Sequence, residues 1–245
     1  MTYTLYIFYT MVIRHTNTTN TWKKNGAMKT NEPQNKVELT INLSEEHKII
    51  LWLWRKCGTS HMAKIMNKYG FKFYRVDDGE LVTLENNVVQ KHYCNLFKGH
   101  ENYKILVAVR NPYSRFFSEY TFNRDSKEFV INEENKKKFK DFIYNSLVLK
   151  EFLSKNCIDF SERIPDYSVR VENLYDDYSK IPFIVESEYY KSGQLKKDVE
   201  VKVNVSNEDE NLWKNFYTQE IADIIYYRMP RYFELFGYDK NSWKN

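Results

Sequence analysis

The chain has 245 residues and a mass of 29.7 kDa, which fits one globular domain with a sizeable core and excludes a large multidomain assembly. Aromatic residues make up 17% of the sequence, a share that excludes disorder over most of the chain. The formal net charge of +4 is too small to indicate nucleic-acid binding, and no segment has the composition of a membrane span or a signal peptide. We therefore expect a soluble protein.

The sequence predicts a leader followed by one domain. Residues 14–35 are rich in Thr, Asn and Lys and show almost no apolar periodicity, so residues 1–35 are predicted to form a flexible leader. No Gly/Ser-rich or Pro-rich linker interrupts the rest of the chain. Residues 36–245 are therefore predicted to form a single domain.

Strand and helix patterns alternate along this domain. Residues 48–54 and 103–109 are short, continuous apolar runs, which are typical of strands buried on both faces of a parallel sheet. Weaker strand patterns at residues 71–76, 87–90 and 167–171 are interspersed with helical patterns at residues 62–69, 136–153, 172–181 and 219–228. Pro230 is predicted to end the last helix. The alternation predicts an α/β fold with a central parallel β-sheet flanked by helices.

An anion site is predicted after the first apolar run, because ligands of open parallel sheets bind beyond the carboxyl ends of the strands. Lys56, Gly58, Thr59 and Ser60 lie there, where a helix is predicted to begin. Gly58 lets the backbone approach an anion, the two hydroxyls donate hydrogen bonds, and Lys56 supplies a full charge. An ordinary basic turn is the alternative interpretation of this segment taken alone.

A second strand end able to bind an anion follows residues 103–109. Asn111 suits a helix N-cap and Pro112 suits the first helical position, which places Arg110 at the strand end beside a helix N-terminus. The predicted helix carries an aromatic stripe that is expected to face the core, formed by Tyr113, Phe116, Phe117 and Tyr120. A surface ion pair is the alternative for Arg110, but two such strand ends in one sheet favour a shared anionic ligand.

These segments resemble the nucleotide-binding motifs of the sulfotransferases, which transfer a sulfuryl group from 3'-phosphoadenosine 5'-phosphosulfate (PAPS) to a hydroxyl or amine. The family's 5'-phosphosulfate loop, Lys/Arg-x-Gly-Thr/Ser-Thr/Ser, is matched at Lys56, Gly58, Thr59 and Ser60. Its 3'-phosphate motif, Arg-Asp/Asn-Pro-x-x-Arg-x-x-Ser-x-Tyr, is matched at Arg110, Asn111, Pro112, Arg115, Ser118 and Tyr120. Residues 170–174 resemble the family's Arg-x-Glu-Asn-Leu segment, and residues 232–238 resemble the ending of the Golgi-type carbohydrate enzymes, the branch closest in motif.

The resemblance implies a P-loop-like three-layer sandwich and a set of donor-binding residues. The donor-binding residues of the first loop would be Arg55, Lys56, Cys57, Gly58, Thr59, Ser60 and His61. Lys56, Thr59, Ser60 and the loop N–H groups would hold the 5'-phosphosulfate, with Lys56 also stabilising the leaving group. Arg110 and Ser118 would bind the 3'-phosphate. PAPS would be the donor and 3'-phosphoadenosine 5'-phosphate (PAP) the product, and no metal ion is expected.

The resemblance also implies a catalytic base. His92 lies where family members often carry a catalytic histidine, and it would accept the proton of the acceptor hydroxyl, with Lys91 assisting at the sulfate. A structural or surface histidine is the alternative for His92. His100 is the rival base, and Glu80 and Glu85 also stay open because some branches of the family use glutamate.

The acceptor is expected to be a small molecule or glycan, an inference that comes only from the carbohydrate branch. Residues 1–35 supply no credible membrane anchor of the Golgi kind, so a cytoplasmic location is expected rather than the Golgi lumen.

Two other classes of protein stay open. A P-loop nucleotide kinase would need Gly-x-x-x-x-Gly-Lys-Ser/Thr, whereas this loop has one glycine that follows its lysine. The other class is a non-catalytic nucleotide- or glycan-binding module on the same fold.

Overall fold

The computed structural model describes residues 40–77, 80–83, 99–122, 130–145, 163–201 and 211–244. All of these residues belong to the compact unit Val37–Asn245. The predicted leader and the predicted strand at residues 87–90 lie outside the described residues, so both stay predictions.

Six strands form one sheet among the described residues. They are β1 (Thr40–Ser44), β2 (Ile49–Trp52), β3 (Lys72–Asp77), β4 (Glu80–Thr83), β5 (Lys104–Val109) and β6 (Tyr167–Arg170). Their order across the sheet is β4-β3-β1-β2-β5-β6, with β2, β5 and β6 parallel and the remaining pairings antiparallel. The predicted α/β class is confirmed, but the sheet is mixed where the sequence predicts a parallel one.

The short connection between β1 and β2 explains the mixed sheet. Only residues 45–48 separate these two strands, and a parallel crossover needs a dozen or more residues. A tight turn, in which Lys48 has a positive φ of 52°, therefore joins β1 and β2 as an antiparallel hairpin. No strand is predicted from sequence at residues 40–44, so this hairpin is a difference from the prediction.

The parallel strands define two opposite edges of the sheet. Ile49 pairs with Lys104 where β2 and β5 begin, and Val109 pairs with Arg170 where β5 and β6 end. We call the edge where these three strands end the carboxyl edge, and the edge where they begin the amino edge. Both predicted anion-binding segments follow strands that end at the carboxyl edge.

The described residues also form helices that connect and cover the strands. They are α1 (Thr59–Asn67), α2 (Pro112–Phe122), α3 (Glu133–Asn145), α4 (Leu174–Tyr178), α5 (Pro182–Val185), α6 (Glu188–Lys191), α7 (Gln194–Glu200), α8 (Gln219–Arg228) and α9 (Pro230–Phe236). Single 3-10 helical segments occupy Val171–Asn173 and Leu212–Phe216. Helix α8 has the predicted bounds, and Pro230 begins α9. The helix predicted over residues 172–181 is divided between the 3-10 segment and α4.

An aromatic core holds α2 against the rest of the domain. Tyr113, Phe116, Phe117 and Tyr120 are all buried, which confirms that this stripe faces the core. The ring of Phe117 lies 5.7 Å from that of Phe139 on α3, centroid to centroid. This packing fixes the N-terminus of α2, and with it the position of Arg110.

Within the described residues, none of the helices has both the length and the apolar composition that a membrane span requires.

Candidate functional site

The loop between β2 and α1 makes a tight turn at the carboxyl edge. Lys56 and Gly58 both have left-handed backbone conformations, with φ of 63° and 65°. The Cys57 N–H donates to the Trp54 carbonyl at 3.1 Å, and the Thr59 hydroxyl donates to the same oxygen at 2.8 Å. Gly58 caps α1, so the N-terminus of that helix opens directly from the turn. This geometry places the first N–H groups of α1 close in sequence to Lys56 at the surface.

Gly58 has both a positive φ and a close neighbour. A Cβ atom there would lie 3.3 Å from Cγ2 of Val171, just after β6 ends. The loop after β2 is therefore in close contact with the end of β6.

Two arginines hold the turn through its carbonyl groups. Nη1 of Arg110 donates to the Lys56 carbonyl at 3.3 Å, and Nε of Arg115 donates to the Arg55 carbonyl at 2.9 Å. Because these carbonyl oxygens face guanidinium groups, their partial negative charge is directed away from any anion bound at the helix N-terminus. The two predicted anion-binding segments are thus in direct contact.

Positive charge accumulates around Lys56. Burial lowers the pKa of its half-buried ammonium group; the Glu119 carboxylate opposes this effect, and the nearby guanidinium groups of Arg110 and Arg55 add to it. Arg55 is paired with the buried carboxylate of Glu119 at 3.0 Å. The Lys56 ammonium lies 3.9 Å from the centroid of the exposed Phe122 ring. A bound anion would relieve this concentration of like charge.

Arg110 also contacts α2. Its Nε donates to the hydroxyl of Ser114 at 3.0 Å, and that hydroxyl donates to the Asn111 carbonyl. Ser118, which was expected to share the 3'-phosphate with Arg110, is half-buried one turn further along α2. Asn111 caps α2 as predicted, with its Oδ1 accepting from the Tyr113 N–H at 3.0 Å.

The other predicted loop residues differ in accessibility. Ser60 is exposed in the first turn of α1, whereas Thr59 is buried and its hydroxyl proton is used within the loop. Cys57 is fully buried, and burial raises the pKa of its thiol, so the reactive thiolate is disfavoured. His61 is half-buried, and burial lowers the pKa of its imidazole.

The candidate bases fall at different places. His92, Lys91 and Glu85 lie outside the described residues, so their roles stay predictions. His100 lies at the amino edge, 3.4 Å from a carboxylate oxygen of Glu45. The six residues of β5 separate it from Arg110, a distance of about 20 Å. His100 is therefore too far from the loop to act as a base there.

Glu80 is at the correct edge but distant from the loop. It begins β4, which runs antiparallel to β3, so its backbone lies at the carboxyl edge. However, β1 and β3 separate β4 from β2, which places β4 about 14 Å from β2 across the sheet.

Several residues that complete the site were not assigned roles from sequence. Arg115 supports the turn, Glu119 pairs with Arg55, and Glu172 and Tyr232 bind the backbone around Arg110. Arg115, Glu172 and Tyr232 all lie in segments that resemble the family's motifs, so the sequence indicated that these positions belong to the site. Their contacts to backbone atoms could not be predicted from the sequence.

Comparisons of this chain with protein-family models, curated proteins and solved structures return no match. Within the described residues, no three His, Cys, Asp or Glu side chains form a group that could hold a metal ion.

Proposed function

We propose that this chain is a PAPS-dependent sulfotransferase that transfers a sulfuryl group to a hydroxyl of a carbohydrate acceptor, on a P-loop-like three-layer sandwich. The observation that carries the proposal is the contact between the two segments that resemble the family's motifs. Nη1 of Arg110 lies 3.3 Å from the carbonyl oxygen of Lys56, although the two residues are 54 positions apart. A ligand with two separate phosphate groups, as in PAPS, matches two adjacent cationic strand ends.

The proposed donor site divides into two parts. Lys56, Ser60 and the first N–H groups of α1 bind the 5'-phosphosulfate, and Arg110 binds the 3'-phosphate. The ammonium–ring contact of Lys56 with Phe122 contributes about 0.5–1 kcal/mol at an exposed site. A charge-assisted hydrogen bond contributes about 1.5–3 kcal/mol. A phosphate group therefore competes successfully with the ring for Lys56.

The proposed reaction is an in-line transfer at sulfur. The acceptor oxygen forms a bond to sulfur while the bond between sulfur and the bridging phosphate oxygen breaks, and the electron pair of that bond stays on the phosphate of PAP. The acceptor proton passes to His92, and Lys91 assists at the sulfate. Lys56 stabilises the negative charge that develops on the leaving oxygen. Atoms and charge balance without a metal ion.

The test is a comparison of nucleotides by isothermal titration calorimetry without added metal. We expect PAP to bind at least about tenfold more tightly than AMP or ATP, because Arg110 forms a charge-assisted hydrogen bond only with the 3'-phosphate. Arg110→Ala should bring the affinity for PAP down to that for AMP. PAP binding no tighter than AMP in the unmodified protein would contradict the proposed donor site.

Arg163→Ala is the matched control. Arg163 also donates to backbone carbonyls, those of Glu101 and Tyr103, but at the amino edge. Its removal should leave the preference for PAP over AMP unchanged. Consumption of PAPS with sugar acceptors then distinguishes an enzyme from a non-catalytic binding module.

A further inference from the structure

A tyrosine hydroxyl holds the backbone of Arg110 from 122 positions further along the chain. Oη of Tyr232, on α9, accepts a hydrogen bond from the Arg110 N–H at 3.2 Å and donates one to the Arg110 carbonyl at 3.0 Å. In a sheet, a neighbouring antiparallel strand binds both backbone groups of one residue in this way. The hydroxyl thus takes the place of a neighbouring strand just after β5 ends.

The next residue is held in a related way. The Asn111 N–H donates to Oε1 of Glu172 at 2.8 Å, and Tyr238 Oη donates to Oε2 of the same carboxylate at 3.0 Å. Two tyrosines that follow α8 therefore fix two consecutive residues, Arg110 directly and Asn111 through Glu172.

The Tyr232 hydroxyl is well suited to a fixed role. Tyr232 is buried, and its ring lies 5.5 Å from that of Trp54 and 4.8 Å from that of Phe236, centroid to centroid. Burial also holds the pKa of this phenol well above its ordinary value, so the hydroxyl keeps its proton and goes on donating.

The direction of the Arg110 side chain follows from its backbone. Its guanidinium reaches the Lys56 carbonyl on one side and the Ser114 hydroxyl on the other, so it bridges the loop after β2 and helix α2. Because the guanidinium is at the end of a long side chain, a small rotation of the backbone displaces it by about 1 Å, enough to weaken a charged contact strongly.

We propose that Tyr232 is a positioning residue for Arg110, and that its hydroxyl sets the guanidinium where the 3'-phosphate of the donor binds. This inference rests on the proposed function, because it assigns Arg110 to that phosphate. Tyr232 itself does not contact the nucleotide.

The test measures the ratio of PAP affinity to AMP affinity in Tyr232→Phe, which removes only the hydroxyl. We expect this ratio to fall by about tenfold, with AMP affinity little changed, because only the 3'-phosphate contact is displaced. In an Arg110→Ala background, Tyr232→Phe should cause no further fall in the ratio.

Tyr217→Phe is the matched control for loss of a buried hydroxyl. Tyr217 is also buried and donates to a backbone carbonyl at the start of α2, that of Tyr113, at 2.7 Å. It should lower stability without changing the affinity ratio, a result that separates positioning from general destabilisation.

The outcomes distinguish the inference from the proposed function. An unchanged ratio in Tyr232→Phe, with PAP preferred by the unmodified protein, overturns the role of Tyr232 alone. No preference for PAP in the unmodified protein overturns both. If Tyr232→Phe does not fold, hydrogen exchange at the Arg110 amide of the unmodified protein gives a second test. Strong protection is expected from the bond to the Tyr232 hydroxyl, and exchange as fast as that of an exposed amide overturns the inference.

Discussion

Lys48 and Lys56 occupy comparable turns at opposite edges of the sheet, yet the pKa of Lys48 is raised and that of Lys56 is lowered. Among the described residues, these two lysines are the non-glycine residues with positive φ, at 52° and 63°. Both ammonium groups lie near an aromatic ring, 5.1 Å from that of Tyr103 and 3.9 Å from that of Phe122. The two lysines differ in the charged groups that surround their ammonium groups.

At the amino edge, charge is balanced within the protein. The hydroxyl of Tyr103 and the carboxylate of Glu45 raise the pKa of Lys48, and His100 converges on the same carboxylate. At the carboxyl edge, burial lowers the pKa of Lys56, the Glu119 carboxylate opposes this effect, and two nearby guanidinium groups add to it. Glu119 is paired with Arg55 and not with Lys56. A lysine that has its own carboxylate is part of a structural network, whereas a half-buried lysine whose nearby carboxylate is paired with an arginine is better suited to an external anion.

The largest expected effect is at the proposed base, His92, compared with His100 at the amino edge. His92→Ala should slow PAP formation from PAPS by a factor of about 10² to 10⁴, the usual contribution of a general base. His100→Ala should change the rate by less than about twofold, because His100 is separated from the loop by the length of β5. PAP release with mixed sugar acceptors measures both. A normal rate in His92→Ala would remove the assignment of the base.

The two lysines give the next test. Lys56→Met keeps most of the side-chain volume but removes the charge, and we expect it to weaken PAP binding by about 100-fold, as for loss of a charged hydrogen bond. Lys48→Met should leave PAP affinity unchanged. Chemical denaturation should show no loss of stability in Lys56→Met, because burial disfavours the ammonium group at this position and the substitution removes it. Equal effects of the two substitutions on PAP affinity would show that the edges do not differ in function.

The smallest expected effect concerns the loop glycine. Gly58→Ala and Gly193→Ala both place a Cβ at a left-handed position, with φ of 65° and 75°, which costs about 1–2 kcal/mol. Only the Cβ at position 58 meets a neighbour, Cγ2 of Val171 at 3.3 Å, whereas position 193 is open. We expect Gly58→Ala alone to weaken PAP binding, by about tenfold, because the loop must shift. Thermal unfolding and titration calorimetry separate the two effects, and equal PAP affinity in both variants would argue against a tight loop.

The sequence was most informative where a local pattern is strong. The apolar runs of β2 and β5, the Pro112 start of α2 and the bounds of α8 could all be predicted, because burial and capping act over a few neighbouring residues. Strand β1 was missed. Its sequence, Thr-Ile-Asn-Leu-Ser, is short and half polar, but Asn42 and Ser44 are buried with the apolar residues between and beside them.

The site could be predicted in outline but not in its contacts. The spacing around Lys56 and Arg110 indicated two anion-binding strand ends, and both lie at the carboxyl edge. Arg115 was a motif match without a role, because its hydrogen bond to the Arg55 carbonyl joins residues 60 positions apart. A guanidinium that binds a distant backbone carbonyl leaves no periodic pattern in the sequence. The helix predicted over residues 172–181 is helical as far as Tyr178 but is divided into a 3-10 segment and α4, and the hydrogen bonds from the Arg170 N–H and guanidinium to Asp177 across this division were not predicted.

The hydrogen bonds from Tyr232 to Arg110 also constrain the order in which the protein is assembled during synthesis. Arg110 leaves the ribosome 122 residues before the side chain that fixes its backbone. Until then, β5 and α2 can pair with their local neighbours, but the backbone N–H and carbonyl of Arg110 lack the hydroxyl that binds both of them in the finished fold. The last of the described helices to be synthesised, α9, therefore completes the hydrogen bonding at the end of β5 only after the six described strands and α1 to α8 have been made.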